Sequence, residues 1–169
     1  MTGFKQAGDI RLRTPMQWTR GPAAGFTRAT PWEPLPPDSA TASVEALDSD
    51  PASLLNLHRK LIHLRTSHPA LGAGRFVPLT TENGALAYLR TTGSSTALVL
   101  ANLGDTPLSS VKVSAAGNVL PAGRYRTSAI FGSAPAATLR VGGNGRIANW
   151  VAAPALAPFE TVILDIRKD

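Results

Sequence analysis

The chain has 169 residues, 43% of them apolar and only 17% charged, which is enough for one domain with a sizeable core or for one domain plus an appended piece. Its net charge of +6 comes from cations scattered singly, with no basic run beyond Arg59-Lys60 and Arg167-Lys168, so no nucleic-acid footprint is legible. There is no cysteine, which excludes disulfides and thiolate catalysis, and no apolar run long enough to span a bilayer, so no membrane partner is expected.

In chain order, Gly8 to Leu12 reads as a short extended lead-in. It opens onto Arg13-Thr14-Pro15-Met16-Gln17-Trp18, followed by Gly25-Phe26 and Pro31-Trp32-Glu33-Pro34. Arg13 brings a rigid fork of donors, Gln17 an amide, and Trp18 and Trp32 flat apolar faces. Aromatic planes beside fixed donors suit a sugar ring, with its apolar face and hydroxyl rim. The prolines forbid a long helix or a central strand, so the stretch is a stiffened loop. Two readings stay open on these residues alone: a ligand-gripping loop, or a loop whose tryptophans pack on a neighbouring surface.

Residues 20–50 are loop-rich, punctuated by Gly21-Pro22 and Leu35-Pro36-Pro37. A helix is predicted over about 51–67, with Asp50 as N-cap, Pro51 at the first position and His68-Pro69 as the stop. Leu54, Leu55, Leu57, Leu61, Ile62 and Leu64 recur at helical spacing and need a partner surface. From Gly74 the period becomes two. Strands are expected at Arg75–Thr80, Ala85–Thr91, Ala97–Asn102, Ser110–Val113, Arg124–Ser128, Thr138–Val141 and Glu160–Ile166, which predicts a mainly β, antiparallel sandwich. Ala97 to Ala101 is apolar throughout and reads as a central strand, whereas Pro154, Pro158 and the alanines around them read as an extended lead-in to the last one.

The hexapeptide at 13–18, with Ala24-Gly25-Phe26-Thr27 and Pro31-Trp32, resembles a segment of the α-amylase superfamily of glycoside hydrolases, in its α-glucosidase, oligo-1,6-glucosidase and trehalose synthase-like branch. The resemblance implies a C-terminal portion. Residues 1–72 would hold the long loop after the last strand of a (β/α)8 barrel and the helix after it, and 73–169 would be the terminal antiparallel β-sandwich. The residue after Trp18 is usually Asp in that family and is Thr19 here, which puts any hydrogen bond of that carboxylate in doubt.

Glycoside hydrolysis uses two carboxylates about 5 Å apart for retention or about 6.5–9.5 Å apart for inversion. Turns, the helix start and the last strand account for most of the acids here, and a whole barrel takes about 250 residues. No catalytic residue is therefore expected in this chain, and by itself it should be inactive. The resemblance gives Arg13 a place near the terminal glucose, paired with an acid of the earlier barrel; its alternative role is to tie the loop to that barrel. Gln17 and Trp18 complete the substrate-binding candidates, with loop anchoring as their other role.

His58 and His63 lack the spacing of a metal pair, and Gly142-Gly143-Asn144-Gly145 lacks the lysine and helix of a phosphate loop, so neither metal nor cofactor is expected. The expected partners are an α-glucan or malto-oligosaccharide held by the full-length enzyme, the missing barrel portion of the same chain and, for the chain alone, further copies of itself. The alternative is a stand-alone carbohydrate-binding or interaction module using Trp18, Trp32 or Trp150 as platforms, although Trp150 reads rather as half-buried packing.

Overall fold

A computed structural model describes residues 13–169. The expected lead-in at residues 8–12 lies outside the described residues. The chain forms two compact units, Met1–His63 and Leu64–Asp169.

In the first unit a short helix, α1 (Val44–Asp48), breaks the stretch expected to be loop. Ser43 caps it, its Oγ accepting from the Ala46 N–H at 3.3 Å. The longer helix, α2 (Leu54–Ser67), begins later than the predicted Pro51. The physical reason is a division of labour between two oxygens. Asp50 Oδ1 accepts from the Ala52 N–H and closes a turn, whereas Ser53 Oγ accepts from the Asn56 N–H and caps the helix. Helix α2 buries none of its residues.

The second unit starts at the end of α2, where Pro69 opens α3 (Pro69–Ala73) as its first residue. Gly74 ends that turn, because a Cβ there would stand 2.4 Å from the Ala70 carbonyl oxygen. Nine strands follow: β1 (Arg75–Pro78), β2 (Thr80–Thr81), β3 (Leu86–Thr91), β4 (Thr96–Ala101), β5 (Leu108–Ala115), β6 (Gly123–Phe131), β7 (Ala137–Val141), β8 (Ile147–Leu156) and β9 (Thr161–Lys168). They build an antiparallel β-sandwich, one sheet ordered β1-β3-β4-β9-β6-β7 and the other β2-β5-β8.

Alternation along the strands sends one set of side chains between the sheets. Leu89, Leu98, Leu100, Leu164, Val111 and Leu156 are fully buried there. The opposite face of the six-stranded sheet carries a second cluster, Ala97, Val99 and Ile163, covered by Ala70 and Leu71 of α3. Strand β4 is thereby buried at every position, as an uninterrupted apolar run should be. Strand β8 is the one the sequence hid. Among the described residues its ladder partner is β5, so Pro154 sits on an edge strand between the paired Ala153 and Ala155, where a missing N–H breaks no ladder bond.

Candidate functional site

The Arg13–Leu35 loop is shaped by backbone geometry first. Between Pro22 and Gly25 the chain makes a tight turn in which Ala23, Ala24 and Gly25 all have positive φ, at 49°, 52° and 68°. Alanine occupies that left-handed region only at a cost of about 1–2 kcal/mol per residue. The turn is held because the buried Ala24 carbonyl accepts from two donors, the Trp18 N–H at 2.9 Å and the Thr19 N–H at 3.0 Å. The hexapeptide is thus looped back and fastened at its end.

Thr19, the residue that departs from the family pattern, has a definite task. Its Oγ1 accepts from the Gly21 N–H at 3.2 Å and also fills the space a side chain at Gly25 would need, 2.8 Å from an added Cβ. The hydroxyl closes the small loop that precedes the left-handed turn.

The same end of the hexapeptide also leans on α1. The carbonyls of Gln17 and Trp18 accept from the Val44 and Glu45 N–H groups, and the Glu45 carboxylate accepts from the Arg20 N–H at 2.8 Å. These bonds tie the loop to the first turn of α1 at both backbone and side-chain level, and place the Gln17 and Trp18 side chains on the outside.

Of the three candidate binding residues, the structure puts Arg13 with Trp32 and Gln17 with Asp38. The Arg13 guanidinium lies over the Trp32 ring, 4.9 Å from its centroid. Stacking uses the face of the guanidinium and leaves its in-plane N–H groups to other partners. The Gln17 amide donates to Asp38 Oδ1 at 3.3 Å. Trp18 and Trp32 remain exposed, at 51% and 60%. The loop also forms a cleft of about 1120 Å³ lined by Pro22, Phe26, Arg28, Pro31, Glu33 and Leu35. Sequence reasoning passed over Asp38 and over α1; Ser43 followed closely by Glu45, a capping residue before an acidic first turn, was the available signal.

Most described carboxylates serve the fold. Asp48 pairs with Arg59, Glu82 with Lys112, and Asp169 with Arg124 and Arg126. The 1120 Å³ cleft holds Glu33 as its single acid, and the larger groove of the sandwich, about 1370 Å³, holds Asp165. Neither presents the facing pair that glycoside hydrolysis uses. Among the described residues no group of three histidines or acids gathers as a metal site. Trp150 is half-buried and packs against the sandwich core.

Comparison with known proteins places these features. Residues 2–74 match the family model for the α-amylase catalytic domain. The chain is 36% identical to a probable α-glucosidase of Rhizobium meliloti over 98 residues, covering 58% of this chain and 18% of that protein. It is 38% identical to probable oligo-1,6-glucosidase 3 of Bacillus subtilis over 101 residues, covering 59% of this chain and 18% of the relative. Among solved structures, isomaltulose synthase from Klebsiella sp. LX3 superposes with a TM-score of 0.62 at 26% identity, covering 99% of this chain and 28% of the synthase. An isomaltulose synthase variant from Erwinia rhapontici NX5, solved with its natural substrate sucrose, gives a TM-score of 0.62 at 25% identity, covering 99% of this chain and 28% of that one. The chain therefore spans 18% of the length of each of the two glucosidases.

Proposed function

The chain belongs to the α-amylase superfamily of glycoside hydrolases, and from that premise we propose that it supplies the sugar-pocket loop and the capping β-sandwich of an enzyme that hydrolyses or transfers α-linked glucosides. The observation that carries this reading is the catalytic-domain match over residues 2–74, on a stretch that sets an arginine over an exposed tryptophan. Relatives named as α-glucosidase and oligo-1,6-glucosidase, and a structural neighbour holding sucrose, support an α-glucoside or malto-oligosaccharide as substrate.

In this reading Arg13 acts by position. Its stacked guanidinium holds a carboxylate of the remaining barrel in a bidentate grip and still donates to a sugar hydroxyl. Gln17 and Trp18, fastened through their carbonyls to α1, flank it. The nucleophile and the general acid come from the rest of the catalytic barrel, which also covers the exposed leucine and isoleucine face of α2. The chain alone is inactive.

A chimaera tests this. The segment from Arg13 onward replaces the matched region of the Bacillus subtilis oligo-1,6-glucosidase, and hydrolysis of isomaltose is followed. The expected outcome is an active chimaera in which Arg13→Ala lowers kcat/KM by about 100-fold, the loss of charge-assisted hydrogen bonds of about 1.5–3 kcal/mol each. Activity from the isolated chain, or an Arg13→Ala chimaera as active as its parent, would overturn the reading.

A further inference from the structure

The cations look scattered in the sequence, yet the sandwich gathers them. Antiparallel pairing sets Arg124 of β6 directly opposite Arg140 of β7, and Arg126 of β6 opposite Arg167 of β9. Their neighbours Tyr125, Thr127, Leu139 and Ile166 are buried, so all four arginines stand on the outer face of the six-stranded sheet. Like charges directly opposite one another destabilise a sheet. Two such pairs side by side call for negative charge.

The chain's own acids answer part of that demand. Asp169 accepts from Arg124 Nε at 3.2 Å and from Arg126 Nε at 2.6 Å, and Asp165 accepts from Arg167 Nε at 2.6 Å and from His68 Nε2 at 3.1 Å. Arg140 is left over. So is Arg146, just before β8: among the described residues neither side chain makes a hydrogen bond or ion pair, and both are exposed. These two, with Arg124, line a cleft of about 900 Å³ whose other walls include Gly142 and Gly143 and whose lining contains no acid.

We propose that this cleft binds a phosphate-bearing small molecule. Planar guanidinium forks match the oxygens of a phosphate bidentately. A phosphate monoester carries close to two negative charges at neutral pH, enough to neutralise both unpaired arginines, where a single carboxylate would leave one unanswered. The cleft volume lies within the range of small-ligand sites. Nothing in this inference depends on the sugar loop of the first unit.

The test is calorimetric titration of the chain at low salt with glucose 6-phosphate, with inorganic phosphate and with glucose. Both phosphates are expected to saturate and glucose to give no phosphate-competed heat. The Arg140→Gln/Arg146→Gln variant is expected to bind at least about tenfold more weakly, the equivalent of one lost charge-assisted contact. Tighter binding of glucose 6-phosphate assigns a phosphorylated sugar, and equal binding assigns the phosphate group alone; each supports the site. Absence of saturable heat from both phosphates, or undiminished binding by the variant, overturns it. A melting temperature settles whether the arginines are structural. Without ligand the double variant should melt no lower than the parent, because a like-charge opposition has been removed, and phosphate should raise the melting temperature of the parent only. An unliganded variant that melts well below the parent would also overturn the proposal.

Discussion

Tyr125 shows how one buried hydroxyl couples the sandwich to pH. The residue is 4% exposed, and its Oη donates to the Pro121 carbonyl at 2.7 Å. Burial pushes its pKa up from the ordinary value of about 10, because the phenolate would lose its hydration. The folded chain therefore holds this proton more tightly than the unfolded one. The contribution to stability is fully present below about pH 10 and is lost as pH rises through the higher folded value. Tyr125→Phe is expected to lower stability at neutral pH by about 1 kcal/mol, through one hydrogen bond and an unsatisfied carbonyl, and to flatten the alkaline limb. Urea melts between pH 7 and 11 check both effects; parallel curves for the two proteins above pH 10 would contradict the coupling. Residue chemistry of this kind was partly legible in the sequence. Thr19 could be flagged as a departure, but only the loop geometry shows its hydroxyl accepting from the Gly21 N–H in place of a carboxylate.

At the scale of elements, periodicity served well where packing is one-sided or complete. The alternating strands and the wholly apolar β4 were readable because sheet burial follows the pleat. Strand β8 was not, since alanines and Pro154 carry a weak β signal and its edge position, which excuses them, is a tertiary fact. The arginine face escaped for the same reason: Arg124, Arg140 and Arg167 are far apart in sequence, and only strand pairing makes them neighbours. The candidate loop was legible by its wording, whereas its anchor on α1 was not. Asn56 explains why α1 and α2 hold together. Its side-chain amide donates to the carbonyls of Leu47 and Asp48 at 3.1 Å and of Asp50 at 2.8 Å, gathering the end of α1 and the turn that follows. Asn56→Ala should destabilise the first unit by about 2 kcal/mol, more than the roughly 1 kcal/mol of losing the Ser53 cap. Asn56→Asp should be no better, because a carboxylate faces three carbonyls with no donor. Amide exchange of residues 44–50 reads the difference, and protection unchanged in Asn56→Ala would show that the amide is incidental.

The whole molecule carries an exposed apolar stripe on one helix. Leu54, Leu57 and Ile62 of α2 are 64%, 39% and 61% exposed. Monomeric proteins rarely leave such side chains grouped on one helix. In the function proposed above the remaining barrel would cover this stripe; for the chain by itself, another copy is the available apolar surface. Light scattering across a concentration series is therefore expected to give a mass above that of one chain, falling toward it on dilution. Ile62→Glu with Leu54→Glu should return the mass to a single chain while leaving the β-sandwich intact, as judged by an unchanged Tyr125 alkaline titration. The substitutions lie on a helix that buries none of its residues, so they cost the fold little and act on association. A parent that stays at the mass of one chain at every concentration would mean that α2 tolerates its exposure. The case for the stripe as the docking face of the barrel would then rest on the chimaera, where the same two glutamates should abolish assembly of an active enzyme.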